Sequence, residues 1–149
     1  MTIHIGADHR GFELKERIRQ SLVSEGYEIS DAGNVVKDEN DDYTDFAATV
    51  AERVSRNEQT SRGILICGSG AGMVVMANKF RRVRAAIGFS NDQVFDSRHD
   101  DDVNILVLAA NFTEYESALA MIKIFLQTPF SSEDRYQRRL EKIARMEDA

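Results

Sequence analysis

The only cysteine, Cys67, stands between a short apolar run, Ile64-Leu-Ile66, and three glycines that alternate at Gly68, Gly70 and Gly72. Apolar run, glycines and the helix-forming residues behind them read as buried strand, tight turn and helix. Glycine lets the backbone turn sharply and come close to a ligand, and the first N–H groups of a helix lack intrahelical partners, so an anion is favoured there. A thiol beside that turn is expected to have a lowered pKa, with thiolate available as base or nucleophile. Taken alone, a free cysteine is more often a small buried hydrophobe; the glycine turn gives Cys67 its chemical reading. The spacing is G-x-G-x-G, with Met73 where a dinucleotide fingerprint needs its last glycine. The turn also follows the third strand and no G-K-[ST] follows it, so neither a dinucleotide site nor a P-loop is indicated.

Asp8 and His9 follow the first apolar segment, where an acid and an imidazole read either as a polar turn or, opposite a thiolate and amide donors, as proton-handling groups. Tyr43 lies between an acidic loop and a helix start and alone reads as a surface anchor. Arg135 and Arg139, about one turn apart on the last helix, read as part of a solvated basic face or as a clamp for one phosphate. His99-Asp100-Asp101-Asp102 reads as a plain loop before the last strand. No H-x-x-x-H or clustered cysteine spacing suggests a metal site, and none is expected.

The elements that must position these groups follow from periodicity. Ile3 to Ala7, Tyr27 to Ile29, the run ending at Cys67, Arg84 to Phe89 and Asn104 to Ala109 read as strands. Between and after them come helices at Phe12 to Glu25, Thr44 to Asn57, the segment behind the glycines, Asn91 to His99, Thr113 to Gln127, and a last one capped by Ser131 or Ser132 and ending near Met146. This βαβαβαβαβαα alternation predicts an α/β fold: a three-layer Rossmann-like sandwich whose five-stranded parallel sheet, in the order 2-1-3-4-5, carries helices on both faces and a C-terminal helix. In such sheets ligands bind outside the carboxyl ends of the strands where strand order reverses. That reversal, between strands one and three, sets the Asp8-His9 turn against the Cys67 turn.

With 149 residues, 42% hydrophobic and 30% charged, and a single proline, the sequence describes one globular domain. A net charge of −6 argues against nucleic acid as partner. No apolar run approaches a membrane span, and neither an export leader nor an internal disulfide is indicated, so cytoplasm is the expected location.

In order and spacing, Gly6-Ala-Asp8-His9-Arg-Gly11-Phe-Glu-Leu-Lys15, Asp42-Tyr43, Gly63-Ile-Leu-Ile-Cys67-Gly-Ser-Gly-Ala-Gly72-Met, Ala77-Asn78-Lys79 and Arg135 through Arg139 resemble the type B ribose-5-phosphate isomerases and the related galactose-6-phosphate isomerase subunits. The resemblance implies one sugar-phosphate isomerase domain over residues 1–149 that interconverts an aldose phosphate and a ketose phosphate through a cis-enediolate, without a cofactor. It implies Cys67 as the base, with Ser69 and the amides of Gly68, Gly70, Ala71 and Gly72 around the enediolate oxygen. Asp8 and Tyr43 would contact sugar hydroxyls, and His9, Arg135 and Arg139 would hold the phosphate. It also implies a homodimer or dimer of dimers with the site between subunits.

Two departures stand out. The family carries His-Asn-x-x-Asn before its last strand, its histidine serving to open the furanose ring; here Asp100-Asp101-Asp-Val-Asn104 occupies that register and His99 is one residue early. His99, Asp100 and Asp101 are therefore the candidates for that role and its surroundings. A family arginine in the following loop is replaced by Asn111. A tetrose 4-phosphate cannot close a furanose ring and needs no ring-opening acid, so it is an alternative substrate to a pentose phosphate. A non-catalytic sugar-phosphate or nucleotide-binding subunit on the same fold is the competing class.

Overall fold

Strands and helices alternate along the whole chain. The structure, a computed structural model, describes residues 1–149. In order they are β1 (Thr2–Ala7), α1 (Phe12–Ser24), β2 (Glu28–Asp31), α2 (Tyr43–Arg56), β3 (Ser61–Cys67), α3 (Ala71–Ala77), β4 (Ala85–Ile87), α4 (Asn91–Asp101), β5 (Ile105–Ala109), α5 (Tyr115–Gln127) and α6 (Asp134–Glu147).

All pairings are parallel, and the sheet order is β2-β1-β3-β5-β4. The expected order 2-1-3-4-5 is thus corrected in its last two places. Every residue of β5 is apolar and buried, which suits an interior strand, whereas β4 is three half-buried residues, which suits an edge. The exchange leaves the reversal between β1 and β3 untouched, so the turns after those strands still face one another.

Two apolar layers cover the sheet. Ile18 and Leu22 of α1, Val94 of α4, and Met121, Ile122 and Phe125 of α5 pack with Ile3, Ile5, Ile64 and Ile66 on one face. Ala47, Val50 and Val54 of α2 pack with Met73 and Ala77 of α3 against Leu65 and Val107 on the other. Alternate residues of β1 and β3 therefore point to opposite layers, as period two requires.

Three local devices set the carboxyl end of the sheet. A methyl group on Gly11 would lie 2.5 Å from the carbonyl oxygen of Ile66, so glycine lets the start of α1 press against β3. Gly70 turns with φ 79° into α3. The buried ammonium of Lys15 donates to both carboxylate oxygens of Asp31, at 3.0 and 2.9 Å, and to the carbonyl of Asn34 at 3.0 Å. That tether holds the start of the long connection from β2 to α2.

Two expectations about helix ends are corrected. His99, Asp100 and Asp101 form the last turn of α4, and Asp102 closes it in the left-handed region at φ 47°, so the segment is no plain loop. Buried Arg98 sustains that turn by bonding Asp102 at 2.7 Å, one turn on, and the Val103 carbonyl at 2.6 Å. At α6 the N-cap is Glu133, without a side-chain cap bond; neither Ser131 nor Ser132 caps it. Ser131 instead donates its N–H to the carbonyl of His99 at 2.9 Å, fastening the approach to α6 onto α4. No helix is long and apolar enough to cross a membrane.

Candidate active site

The turns after β1 and β3 and the start of α2 enclose a cavity of about 320 Å³ lined by Asp8, His9, Arg10, Asp41, Asp42, Tyr43, Cys67, Gly68, Ser69 and Gly72. Cys67 ends β3 and is 5% exposed. Its sulfur accepts the Gly70 N–H at 3.1 Å. Gly72 carries no side chain because Tyr43 lies on it: a methyl there would sit 2.5 Å from the ring's Cζ and 3.0 Å from its hydroxyl oxygen. The ring covers the first turn of α3 and carries its hydroxyl to the cavity.

Opposite, buried Asp8 folds its carboxylate back to accept the N–H groups of Arg10, at 3.0 Å, and Gly11, at 3.2 Å. This local turn fixes where His9 and Arg10 project. Asp41 holds His9 twice, accepting its backbone N–H at 3.0 Å and bonding Nδ1 at 2.8 Å. Its second oxygen accepts from the Asn34 amide at 3.2 Å. The Asp41 bond, ahead of other effects, raises the His9 pKa above 6.5 and favours an imidazolium facing the cavity.

The expectation of a lowered Cys67 pKa is corrected. Burial pushes the thiol up, the nearby Asp8 carboxylate adds to this, and the amides of Gly70, Met73 and Ser69 oppose it without prevailing. The glycine turn supplies the donors foreseen, but the sulfur lies too deep for them to win.

His99, Asp100, Asp101, Arg135 and Arg139 form a separate group where α4 and α6 meet. The His99 ring stacks on Phe95 at 5.3 Å between centroids and meets Tyr136 edge-on at 6.0 Å. Its Nδ1 bonds Asp100 at 2.7 Å, which holds the Asp100 carboxyl below its ordinary range. Burial, then repulsion from Asp100, pushes Asp101 up. Arg135 donates to the Tyr136 hydroxyl at 2.8 Å, and Arg139 lies 5.7 Å from the same ring. α4 descends toward the start of β5, and Ile105 pairs with Gly63 whereas Ala109 pairs with Cys67. Four residues of strand, on the order of 13 Å, already separate those levels of the sheet. Within one chain, then, Asp8, His9, Tyr43, Cys67, Ser69 and the glycines converge, and the five α4 and α6 residues lie at the other end. No three His, Cys, Asp or Glu side chains are disposed to hold a metal ion.

The Ribose/Galactose Isomerase family profile matches residues 3–143. A probable ribose-5-phosphate isomerase B of Mycoplasma genitalium is 38% identical over 146 residues, covering 98% of this chain and 95% of that protein. The chain belongs to the Ribose/Galactose Isomerase family. Ribose-5-phosphate isomerase B of Mycobacterium tuberculosis is 34% identical over 147 residues, or 99% of this chain and 90% of that one. The crystal structure of the M. genitalium enzyme with bound ribulose 5-phosphate matches with a TM-score of 0.95 at 37% identity, covering 99% of this chain and 96% of the other. Type B ribose 5-phosphate isomerase of Trypanosoma cruzi matches at 0.92 and 38%, covering 99% of both.

Two residues of this isomerase's cavity escaped sequence reading. Asp41 is one charge in an acidic run, Lys37 to Asp42, that reads as solvated loop; only the fold turns it onto His9. Arg10 lies inside the motif Asp8-His9-Arg-Gly11, and its place next to His9 was the one available signal.

Proposed function

We propose that this chain interconverts ribose 5-phosphate and ribulose 5-phosphate through a cis-enediolate, with Cys67 as the base and no cofactor. The thiolate takes the proton from C2 of the open aldose and returns it to C1, while a hydroxyl proton passes from O2 to O1. N–H groups of the turn from Gly68 to Gly72, Ala71 included, and the Ser69 hydroxyl stabilise the enediolate oxygen, where preorganised donors act best. Asp8 and Tyr43 contact sugar hydroxyls, and imidazolium His9 attracts the phosphate. The observation that carries this reading is the Cys67 sulfur set against the Gly70 amide in a cavity shared with Asp8, His9 and Tyr43.

A second copy of the chain completes the cavity, bringing its own His99, Asp100, Asp101, Arg135 and Arg139 to this Cys67. Three features support a shared site. The α4 and α6 group lies too far from Cys67 to act on it within one chain. Arg139 forms no salt bridge within its own chain, where only the field of Asp101 reaches it, and Val35, Val36, Val75, Phe89 and Phe112 are left exposed. His99 offers its Nε2 as the ring-opening acid while Asp100 fixes Nδ1.

A second reading, a tetrose 4-phosphate as substrate, rests on Asp100 standing in the family histidine's register. Turnover of erythrose 4-phosphate against ribose 5-phosphate separates them; preference for the pentose ends the tetrose reading. Isomerisation itself is tested by solvent deuterium. Label entering a substrate carbon, abolished in Cys67→Ala with binding retained, is the expected result. Binding without exchange in the unaltered chain overturns the proposal in favour of a passive binding subunit.

A further inference from the structure

The cavity holds one cation that the chain leaves without a counter-charge. Of the two basic side chains lining it, His9 is tied to Asp41. Arg10 is anchored only through its backbone, whose N–H donates to Asp8. Its guanidinium forms neither an ion pair nor a hydrogen bond, although Asp8, Asp41 and Asp42 line the same cavity. The side chain nonetheless has a defined course across Gly68. A methyl on Gly68 would lie 2.7 Å from Arg10 Cδ, 3.1 Å from Arg10 Nη1 and 3.0 Å from Asn111 Nδ2. Asn111 is brought there by the backbone, its N–H donating to the Gly68 carbonyl at 3.0 Å. Two nitrogen-bearing side chains from different turns thus meet over the one residue beside Cys67 that has no side chain to separate them.

We propose that Arg10, with the Asn111 amide beside it, is a substrate-binding residue that takes the phosphate ester of the sugar. This rests on the isomerase reading. Three carboxylates make the cavity a poor host for a dianion unless a permanent cation offsets them, and Arg10 is the only such cation this chain supplies. A guanidinium presents paired donors that match two phosphate oxygens, and it stays charged at any pH at which the protein is folded. An uncommitted guanidinium loses no internal partner when the ligand arrives.

The test uses the full chain, with Arg10→Gln and Arg10→Lys. Inorganic phosphate is titrated calorimetrically, and KM and kcat are measured with ribose 5-phosphate. Arg10→Gln is expected to weaken phosphate binding about tenfold or more, the size of one charge-assisted hydrogen bond. It should raise KM to match while kcat stays within about twofold, the signature of lost uniform binding. Arg10→Lys should recover part of the affinity. Since the side chain is exposed, the melting temperature should not move. Unchanged phosphate affinity in Arg10→Gln overturns the proposal. So does a fall in kcat with KM and phosphate affinity held, which would put the guanidinium on the reacting oxygens. Deuterium exchange in the unaltered protein keeps the two readings apart: its absence defeats the isomerase, while phosphate titration still judges Arg10.

Discussion

Gly72→Ala should separate stability from activity. The added methyl would lie 2.5 Å from Cζ, 2.6 Å from Cε2 and 3.0 Å from the hydroxyl oxygen of Tyr43. Carbon atoms in contact need about 3.5 Å, so the ring must retreat by about 1 Å or more. It can do so, because Tyr43 is 41% exposed and begins its helix with solvent on one side. Meanwhile alanine in the first turn of α3 is favoured over glycine by about 0.5 to 1 kcal/mol in backbone entropy. The melting temperature should therefore hold or rise slightly. The displaced hydroxyl is a different matter, since misplacing a ligand-positioning group by ~1 Å can cost on the order of 10²-fold in rate. Steady-state kinetics and thermal unfolding of Gly72→Ala, Tyr43→Ala and the double variant make the assay. If the ring transmits the effect, Gly72→Ala should cost little once Tyr43 is already alanine. Unaltered kcat/KM in Gly72→Ala, or an equal loss with and without the ring, refutes the reasoning.

Other outcomes follow from the same cavity. Burial raises the Cys67 pKa above its ordinary value in the free chain, so kcat/KM should climb with pH above neutrality while kcat, read with the cavity closed over the sugar, levels off at lower pH; coincident profiles would contradict this. Asp41→Asn removes the main cause of the raised His9 pKa, so phosphate binding should weaken severalfold near pH 7.5 and recover near pH 5.5, read by calorimetry. Cys67→Ala mixed with an inactive Arg135→Gln/Arg139→Gln variant should regain up to about a quarter of normal activity if sites are shared in a two-fold dimer, and none if each chain works alone. His4 has its pKa lowered by burial and keeps an unpaired buried Nδ1. Its neutral form is the one the fold favours, so its contribution to stability holds above pH 6.5 and is lost as pH falls toward the lowered folded value. Melting curves of His4→Gln should therefore show less acid sensitivity than those of the unaltered chain.

Periodicity and glycine placement disclose every strand and helix of this chain because burial imprints itself on residue order. Strand adjacency carries no such imprint: Asn104 to Ala109 announces burial on both faces, yet which neighbours cover its edges depends on crossovers that skip β5 and return. The last turn of α4 was hidden for a related reason. Four polar residues in a row look like loop, yet His99 to Asp101 complete the helix, and Arg98, bonded to Asp102 and Val103 four and five residues on, braces its end. At the site, residue types and turn positions gave Cys67, Asp8, His9 and the glycines. What they withheld was depth and direction. A thiol's burial decided its pKa against the turn's donors, and Asp41 and Arg10 became cavity groups only when two loops folded inward.

The thiol also gives a physical reason for the proposed shared site. A single chain surrounds Cys67 with a buried wall and the Asp8 carboxylate, both of which oppose ionisation, and counters them with amides whose effect is smaller. His9 and Arg10 are the positive groups this chain itself brings to the cavity, and further positive charge would move the thiol closer to the working pH, where a general base acts best. Arg139, which forms no salt bridge in its own chain, and Arg135, paired with Glu133 at 3.0 Å, lie at the opposite end of the sheet on the helix that packs against His99. Only a second copy can carry them to the first copy's sulfur. On the shared-site reading, these arginines would join Arg10 around the phosphate and would also favour the thiolate as the cavity closes over the sugar.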